Sequence, residues 1–320
     1  MTLTAAPAPA RGVPRHVVVA GMGGSAVAGD LVSALATDRA SVPVTVWRAY
    51  GVPAFVGPES LVVATSYSGN TGEAVAALDA ALRHGAAAAV VTSGGILSEL
   101  ARERNLPLVR LPGGLMPRFA LGYLFFPLVG LVESLGVTLL GDTERAEALD
   151  LLEVMGRELE PGRPEAGNEA KRLARSLDGR IPVIYGSGFA AAVAYRWKTQ
   201  LEENAKLLAF HGRLPEVDHN EIEGWRDPGA RGFHAVFLRD AEEDEVTARR
   251  IALTRELIRE RAGGMSEVWA RGQGRLARLF SLIYVGDWAG YYLALLRGVD
   301  PSPVEMIEEI KRRLREPKPA

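Results

Sequence analysis

The sequence predicts an α/β protein of two tandem doubly wound domains with parallel sheets, closed by a C-terminal helix. Three observations lead there. Short, continuously apolar, β-rich runs alternate with Ala- and Leu-rich helical patterns, as parallel strands covered on both faces require. The strand, Gly-rich turn and helix of residues 15–32 is repeated at 180–197, "RIPVIYGSGFAAAVAYRW". The 320 residues suit two domains at about 100–200 residues each.

The elements follow in order. Residues 1–14 are Ala/Pro-rich, lack a long apolar segment, and read as a flexible lead-in. The first domain, 15–150, opens with strand "HVVVAG" (16–21) and helix "SAVAGDLVSALAT". Strands "VPVTVW" (42–47) and "LVVATS" (61–66) come next, then a helix over 72–84 and strand "AAAAVVTS" (86–93). A helix near 96–104 leads to strand "PLVRL" (107–111). The apolar stretch 118–136 carries Pro127, small residues and charge, so it reads as a buried helix and not a membrane span. Residues 139–180 are helical and charged, with a break at "EPGRPEAGNEA". The second domain, 165–300, repeats the pattern with strands "FHAVFLRD" (233–240) and "SEVWAR" around helix "EDEVTARRIALTRELIRER". Helix "RLARLFSLIYVGDWAGYYLALLRG" closes it, and a last helix runs from about 303 to 315 within the tail 301–320.

The formal net charge of −2 gives no electrostatic reason for a nucleic-acid or anionic-membrane partner. The chain has no cysteine, which excludes disulfides, thiolate metal sites and cysteine nucleophiles and fits a cytoplasmic protein.

In such sheets ligands bind beyond the carboxyl ends of the strands. The loops to weigh are "GMGGSA", "SYSGNT", "TSGG", "GSGF" and the segment around 200–226. "SYSGNTGE" combines the hydroxyls of Ser66, Ser68 and Thr71 with glycines at the start of a helix. A phosphate wants backbone N–H groups, hydroxyl donors and a helix N-terminus. One Ser or Thr would suffice to cap the helix, so three point to anion binding. With no lysine in it, the loop is not that of P-loop ATPases. It suits a terminal phosphate on a small molecule.

In "GMGGSAVAGD", Gly24 and Ser25 are further donors to a sugar phosphate, together with Gly23. Ala26 breaks the dinucleotide fingerprint, which argues against a nucleotide-binding Rossmann protein. The second domain's counterpart of the hydroxyl loop, "LRDAEEDE" (238–245), is acidic and would repel phosphate.

Glu202, with Lys198 and Lys206 at i−4 and i+4, reads as an exposed ion-paired face. Glu203 is one step round the helix and is a candidate base or equally a surface glutamate. His219 sits in the polar knot "EVDHNEIEGW" and is suited to moving a proton near neutral pH. No second histidine lies at ligand spacing, so no metal is expected.

"GMGGSAVAGD", "SYSGNT", "ENAK", "LPEVDHNEIEGW" and "YYLALLRGVDPSPVEMIEEIK" resemble, in order and from about residue 16 to 315, the motifs of the bifunctional phosphoglucose/phosphomannose isomerase family, a branch of the SIS (sugar isomerase) superfamily. The resemblance implies two flavodoxin-like SIS domains, a homodimer with its active site at the subunit interface, no cofactor and no metal. It implies aldose–ketose isomerisation of glucose 6-phosphate and/or mannose 6-phosphate to fructose 6-phosphate through an enediol. By the same resemblance Gly24, Ser25, Ser66, Ser68 and Thr71 hold the phosphate, and Glu203 shuttles a proton between C2 and C1. His219, reaching in from the other subunit, and Lys311 serve ring opening, and Arg118 lies near the enediolate. The chain departs from the family pattern in carrying Glu202 before "ENAK", where relatives often have Asn. It also starts close to its first strand, so that the expectation is an N-terminal helix common in relatives either missing or replaced by the Ala/Pro stretch. The alternative reading of the same residues is a catalytically silent sugar-phosphate sensor.

Overall fold

The computed structural model describes residues 2–3 and 13–316. The chain divides into two compact units, residues 1–147 with 274–276, and residues 148–273 with 277–320.

The first unit contains β1 (Thr2–Leu3), β2 (His16–Ala20), α1 (Gly23–Ala36), β3 (Val44–Trp47), β4 (Ser60–Thr65), α2 (Gly72–Arg83), β5 (Ala87–Thr92), α3 (Gly95–Glu103), β6 (Leu108–Arg110) and α4 (Leu121–Glu133). Helix α5 (Asp142–Leu159) follows and runs past the unit boundary. The sheet order is β1-β6-β5-β4-β2-β3. Strands β2 to β6 pair in parallel, which gives the flavodoxin-like order. The expectation of wholly parallel sheets needs one correction: Thr2 and Leu3 pair antiparallel with Arg110 and Val109 at the edge. The rest of the lead-in, up to residue 12, lies outside the described residues.

Strand β4 is buried along its whole length, as its run of apolar residues requires of a central parallel strand. The small side chains of α1 and α2, Ala26, Ala28, Ala74, Ala77 and Ala81, are buried and let the helices lie close on the sheet. Helix α4 is continuous through Pro127 and buries Leu124, Phe125, Leu128 and Val129.

The second unit contains α6 (Glu169–Leu177), β7 (Ile181–Gly186), α7 (Ala190–Ala205), β8 (Phe210–Arg213), β9 (Phe233–Arg239), α8 (Glu245–Ile258), β10 (Gly264–Trp269), all but the first two residues of α9 (Arg275–Leu296), and α10 (Glu305–Arg315). Its parallel sheet runs β10-β9-β7-β8. That order repeats β5-β4-β2-β3 of the first unit. Strand β8 lies inside the segment read from the sequence as a loop. It is an edge strand with most of its residues exposed, so it lacks the apolar run that marks its neighbours. Helix α9 is long and apolar enough to cross a membrane by length and composition, yet 61% of its apolar window is buried in the fold.

Candidate active site

In the first unit the chain leaves β2 for β3 on one side and β4 on the other, so the topological switch point lies between β2 and β4. The turn Gly21–Ser25 and the loop Ser66–Thr71 both emerge there. Ser25 Oγ accepts a hydrogen bond from the Tyr67 backbone N–H at 3.2 Å, which ties the two together. Within the second loop, Ser66 Oγ lies 2.8 Å from Thr71 Oγ1 and accepts from the Gly69 N–H at 3.1 Å. Ser68 Oγ accepts from the Asn70 N–H at 3.3 Å, and Ser68 is exposed.

Helix capping is not what these hydroxyls do. Thr71 is the N-cap of α2 and makes no side-chain capping bond; its hydroxyl meets Ser66 instead. The amides of the first turn have no intrahelical acceptors and carry the positive end of the helix dipole.

The loop is locked from behind by the chain after β5. Leu97 N–H donates to Gly69 O at 3.0 Å, and Ile96 N–H to Asn70 Oδ1 at 3.2 Å. Ser93 Oγ donates to Tyr67 O at 2.6 Å. Gly69 has φ +71°, and a Cβ there would overlap the Gly94 carbonyl oxygen. Sequence reasoning missed Asn70 as a member of the site. Its signal was its place between the hydroxyls, but its partner is a distant loop.

Arg118 lies in a single 3-10 turn, Pro117–Phe119, and is 3% exposed. A Cβ on Gly24 would lie 3.1 Å from Pro117 O and 3.5 Å from Arg118 Cα. The fold therefore brings Gly24, Ser25, Ser66, Ser68, Thr71 and the Arg118 backbone to one end of the first sheet.

In the second unit Glu203 lies near the end of α7, half buried. That helix is pinned to α9. Arg196, 2% exposed, donates to Asp287 Oδ2 at 2.6 Å, and Gln200 Nε2 to Oδ1 at 2.8 Å. Trp197 Nε1 donates to Leu282 O at 2.9 Å, and Arg297 Nε to Ala205 O at 3.1 Å. Asp287 was also missed, although it is the one acid within the apolar run "SLIYVGDWAGYYLALL".

Lys198 pairs with Glu202 at 2.8 Å, as the i, i+4 spacing implied. Lys206 does not continue that face. It turns left-handed at φ +52° as the C-cap, and its ammonium donates to Glu203 O at 2.5 Å and Pro303 O at 2.6 Å. This ties the end of α7 to the segment leading into α10, which carries Lys311 on an exposed surface.

His219 ends a 3-10 turn, Glu216–His219, and is exposed. Its neighbours are anchored. Asp218 accepts from Thr254 Oγ1 on α8 at 2.7 Å. Tyr185 on β7 donates to Glu221 Oε1 at 2.5 Å and accepts from Trp225 Nε1 at 2.9 Å. Burial, with the Glu221 charge beside it, pushes the Tyr185 hydroxyl well above its usual range, so it stays a donor. Glu203, His219 and Lys311 thus occupy three separate elements of the second unit.

The acidic counterpart loop is engaged internally. Glu243 accepts from Arg239 Nη2 at 2.8 Å and from the Asp240 N–H at 2.9 Å. Arg278 Nε lies 3.0 Å from Asp240 Oδ1, and Asp244 caps α8 through the Thr247 N–H at 2.9 Å. Carboxylates hold the place at this helix end that hydroxyls hold in the first unit.

Two doubly wound sheets, the first with a hydroxyl loop at its switch point, define a two-domain SIS protein of the sugar-isomerase class. Residues 166–314 match the family described as bacterial phospho-glucose isomerase C-terminal SIS domain. The chain is 40% identical over 303 residues to the bifunctional phosphoglucose/phosphomannose isomerase of Caldicellulosiruptor bescii, covering 94% of this chain and 89% of the relative. It is 36% identical to the enzyme of the same name from Thermoplasma acidophilum, over 93% of this chain and 89% of the relative. A glucose-6-phosphate isomerase like protein from Thermus thermophilus superposes with TM-score 0.61 at 25% identity, over 97% of this chain and 90% of that one. The chain belongs to the bifunctional phosphoglucose/phosphomannose isomerase family, and it is an isomerase.

Proposed function

We propose that this chain interconverts glucose 6-phosphate and mannose 6-phosphate with fructose 6-phosphate. The observation that carries the reading is the hydroxyl loop at the N-terminus of α2, in which Ser66 and Thr71 meet each other and the N-cap Thr71 does not cap the helix. Ser25, Ser66, Ser68 and Thr71, with the Gly24 backbone, hold the phosphate. That grip supplies binding energy remote from the reacting carbons.

His219 and Lys311 open the sugar ring by moving protons at O5 and O1. Glu203 then takes the C2 proton of the open aldose, and the electron pair forms the C1–C2 double bond of the enediol. The carbonyl oxygen gains a proton, and Arg118 offers positive charge to that oxygen as it becomes anionic. Return of a proton to C1, with loss of the O2 hydroxyl proton as the C2 carbonyl forms, gives the ketose. Glucose and mannose 6-phosphates differ only at C2, and the enediol erases that centre, so one intermediate serves both. The pinning of α7 by Asp287 supports a positioned base, since proton abstraction requires one.

In this proposal residues 15–150 and 165–300 are the two SIS domains, and the enzyme is a cytoplasmic homodimer in which His219 enters the partner's site. Met306, Ile307, Ile310 and Leu314 form one exposed apolar face of α10, which supports burial against a second copy.

The test is a coupled assay for fructose 6-phosphate from each aldose phosphate. Both should turn over, and Glu203→Gln should lower kcat by about a thousandfold or more while sugar-phosphate binding survives. A Glu203→Gln enzyme with wild-type kcat would remove the assignment of the base. Binding without turnover in the wild type would favour the silent sensor.

A further inference from the structure

We infer that Tyr50 is a phosphate-contacting residue of this site, its phenol donating a hydrogen bond to a phosphate oxygen beside the N-terminus of α2. The inference rests on the reading of Ser66–Thr71 as the phosphate loop.

Tyr50 lies in the chain that leaves the carboxyl end of β3, on the strand next to β2. The residues around it are fixed. Trp47 Nε1 donates to Gly51 O at 2.9 Å, closing a tight loop around position 50. The Gly21 N–H donates to Trp47 O at 3.1 Å, which joins this loop to the Gly21–Ser25 turn. Arg48 is ion-paired with Asp30 of α1. Tyr50 itself is 67% exposed, a large aromatic on a held backbone.

Its direction is set by Gly72. A Cβ on that glycine would lie 3.3 Å from Tyr50 Oη and 3.6 Å from Cε1. Gly72 is the first residue of α2 and follows Thr71, whose hydroxyl meets Ser66. The phenol oxygen therefore sits against the turn whose amides would receive the anion. No hydrogen bond engages that hydroxyl among the described residues. The loop has hydroxyls and amides but no lysine, so a phenolic O–H adds a neutral donor of the same kind. Tyr50 can be reached only through a contact between separate loops, which is why the spacing within "SYSGNT" does not point to it.

The test is inorganic phosphate binding by titration calorimetry, alongside KM and kcat for fructose 6-phosphate. Wild type, Tyr50→Phe and Ser68→Ala are compared; both altered positions are exposed, so folding is retained. Tyr50→Phe should weaken phosphate binding about tenfold, the loss of a hydrogen bond to a charged group. Its kcat/KM should fall by a similar factor, mainly through KM. A merely structural tyrosine would leave both unchanged in the Phe variant. Wild-type phosphate affinity in Tyr50→Phe, with Ser68→Ala weakened, would overturn the assignment of Tyr50 alone. A raised KM with unchanged phosphate affinity would also overturn it, because the hydroxyl would then be touching the sugar. No effect in Ser68→Ala, or no phosphate binding by the wild type, would remove the loop reading and Tyr50 with it.

Discussion

At the residue scale, Gly69 shows how far a site can be read from its own sequence. The glycine flanked by hydroxyls was legible as a tight turn, and the hydroxyls as an anion loop, because both arguments are local. The reason Gly69 tolerates no side chain was not legible: its would-be Cβ meets the Gly94 carbonyl and lies 2.7 Å from Thr92 Oγ1, at the end of β5 and in the loop that follows it. Gly69→Ala must adopt φ +71° with a Cβ and displace that loop. The left-handed conformation alone costs about 1 kcal/mol, and parting the two loops adds to it. We expect a lower Tm and a KM for fructose 6-phosphate raised several-fold, with a smaller change in kcat, measured by calorimetry and steady-state kinetics. Unaltered KM would mean that the 66–71 loop keeps its shape without the 92–97 support. Arg118, by contrast, carried no local signal. A lone Arg after Pro117 in an apolar stretch has no spacing to interpret, and its candidacy came from resemblance to a family.

At the element scale, strands with both faces covered were legible as apolar runs, and the helices between them by composition. Two edge elements without an apolar run were not: β8 has mostly exposed residues, and the edge pairing of β1 rests on two residues. The join between α7 and α9 was equally hidden, because Asp287 and Arg196 are 91 residues apart in sequence. That join is energetically decisive for α7. Asp287 neutralises a guanidinium that is 2% exposed and also holds Gln200. Asp287→Ala removes the carboxylate that both the buried guanidinium and Gln200 face, which should destabilise the protein by about 3 kcal/mol. Because Glu203 lies one turn beyond Gln200 on the same helix, kcat should fall too, in protein that is still folded at low temperature. Denaturant melts and kinetics below the transition report the two effects separately. A stable variant with reduced kcat would show that the join serves orientation more than stability.

At the scale of the whole molecule, the second unit repeats the strand order of the first but has turned the equivalent helix end into an internal ion network. Arg239 bridges Glu243 and Glu267, and Arg278 reaches Asp240. The repeat was legible as strand, turn and helix; the network was legible only as acidity. Stability is then linked to pH at the opposite end of the same strand. His234 on β9 is buried, with Nε2 2.8 Å from Ser266 Oγ and its ring against Gly264. Burial, reinforced by the Arg180 charge, lowers its pKa from 6.5 to about 4. Between those values the unfolded chain binds the proton and the folded one does not, so stability rises with pH through this window. The contribution is fully present above about pH 6.5 and is lost as pH falls toward 4, by up to about 3 kcal/mol. Asp30, Glu169 and Asp240, which burial raises, act in the opposite sense, as the folded state then holds protons more readily. The comparison with His234→Gln separates them, because those carboxyls titrate in both proteins. Urea midpoints of wild type and His234→Gln should converge or cross as pH falls from 7 to 4, the wild type losing more. Parallel curves over that range would mean that water reaches the imidazole and that its burial does not govern its charge.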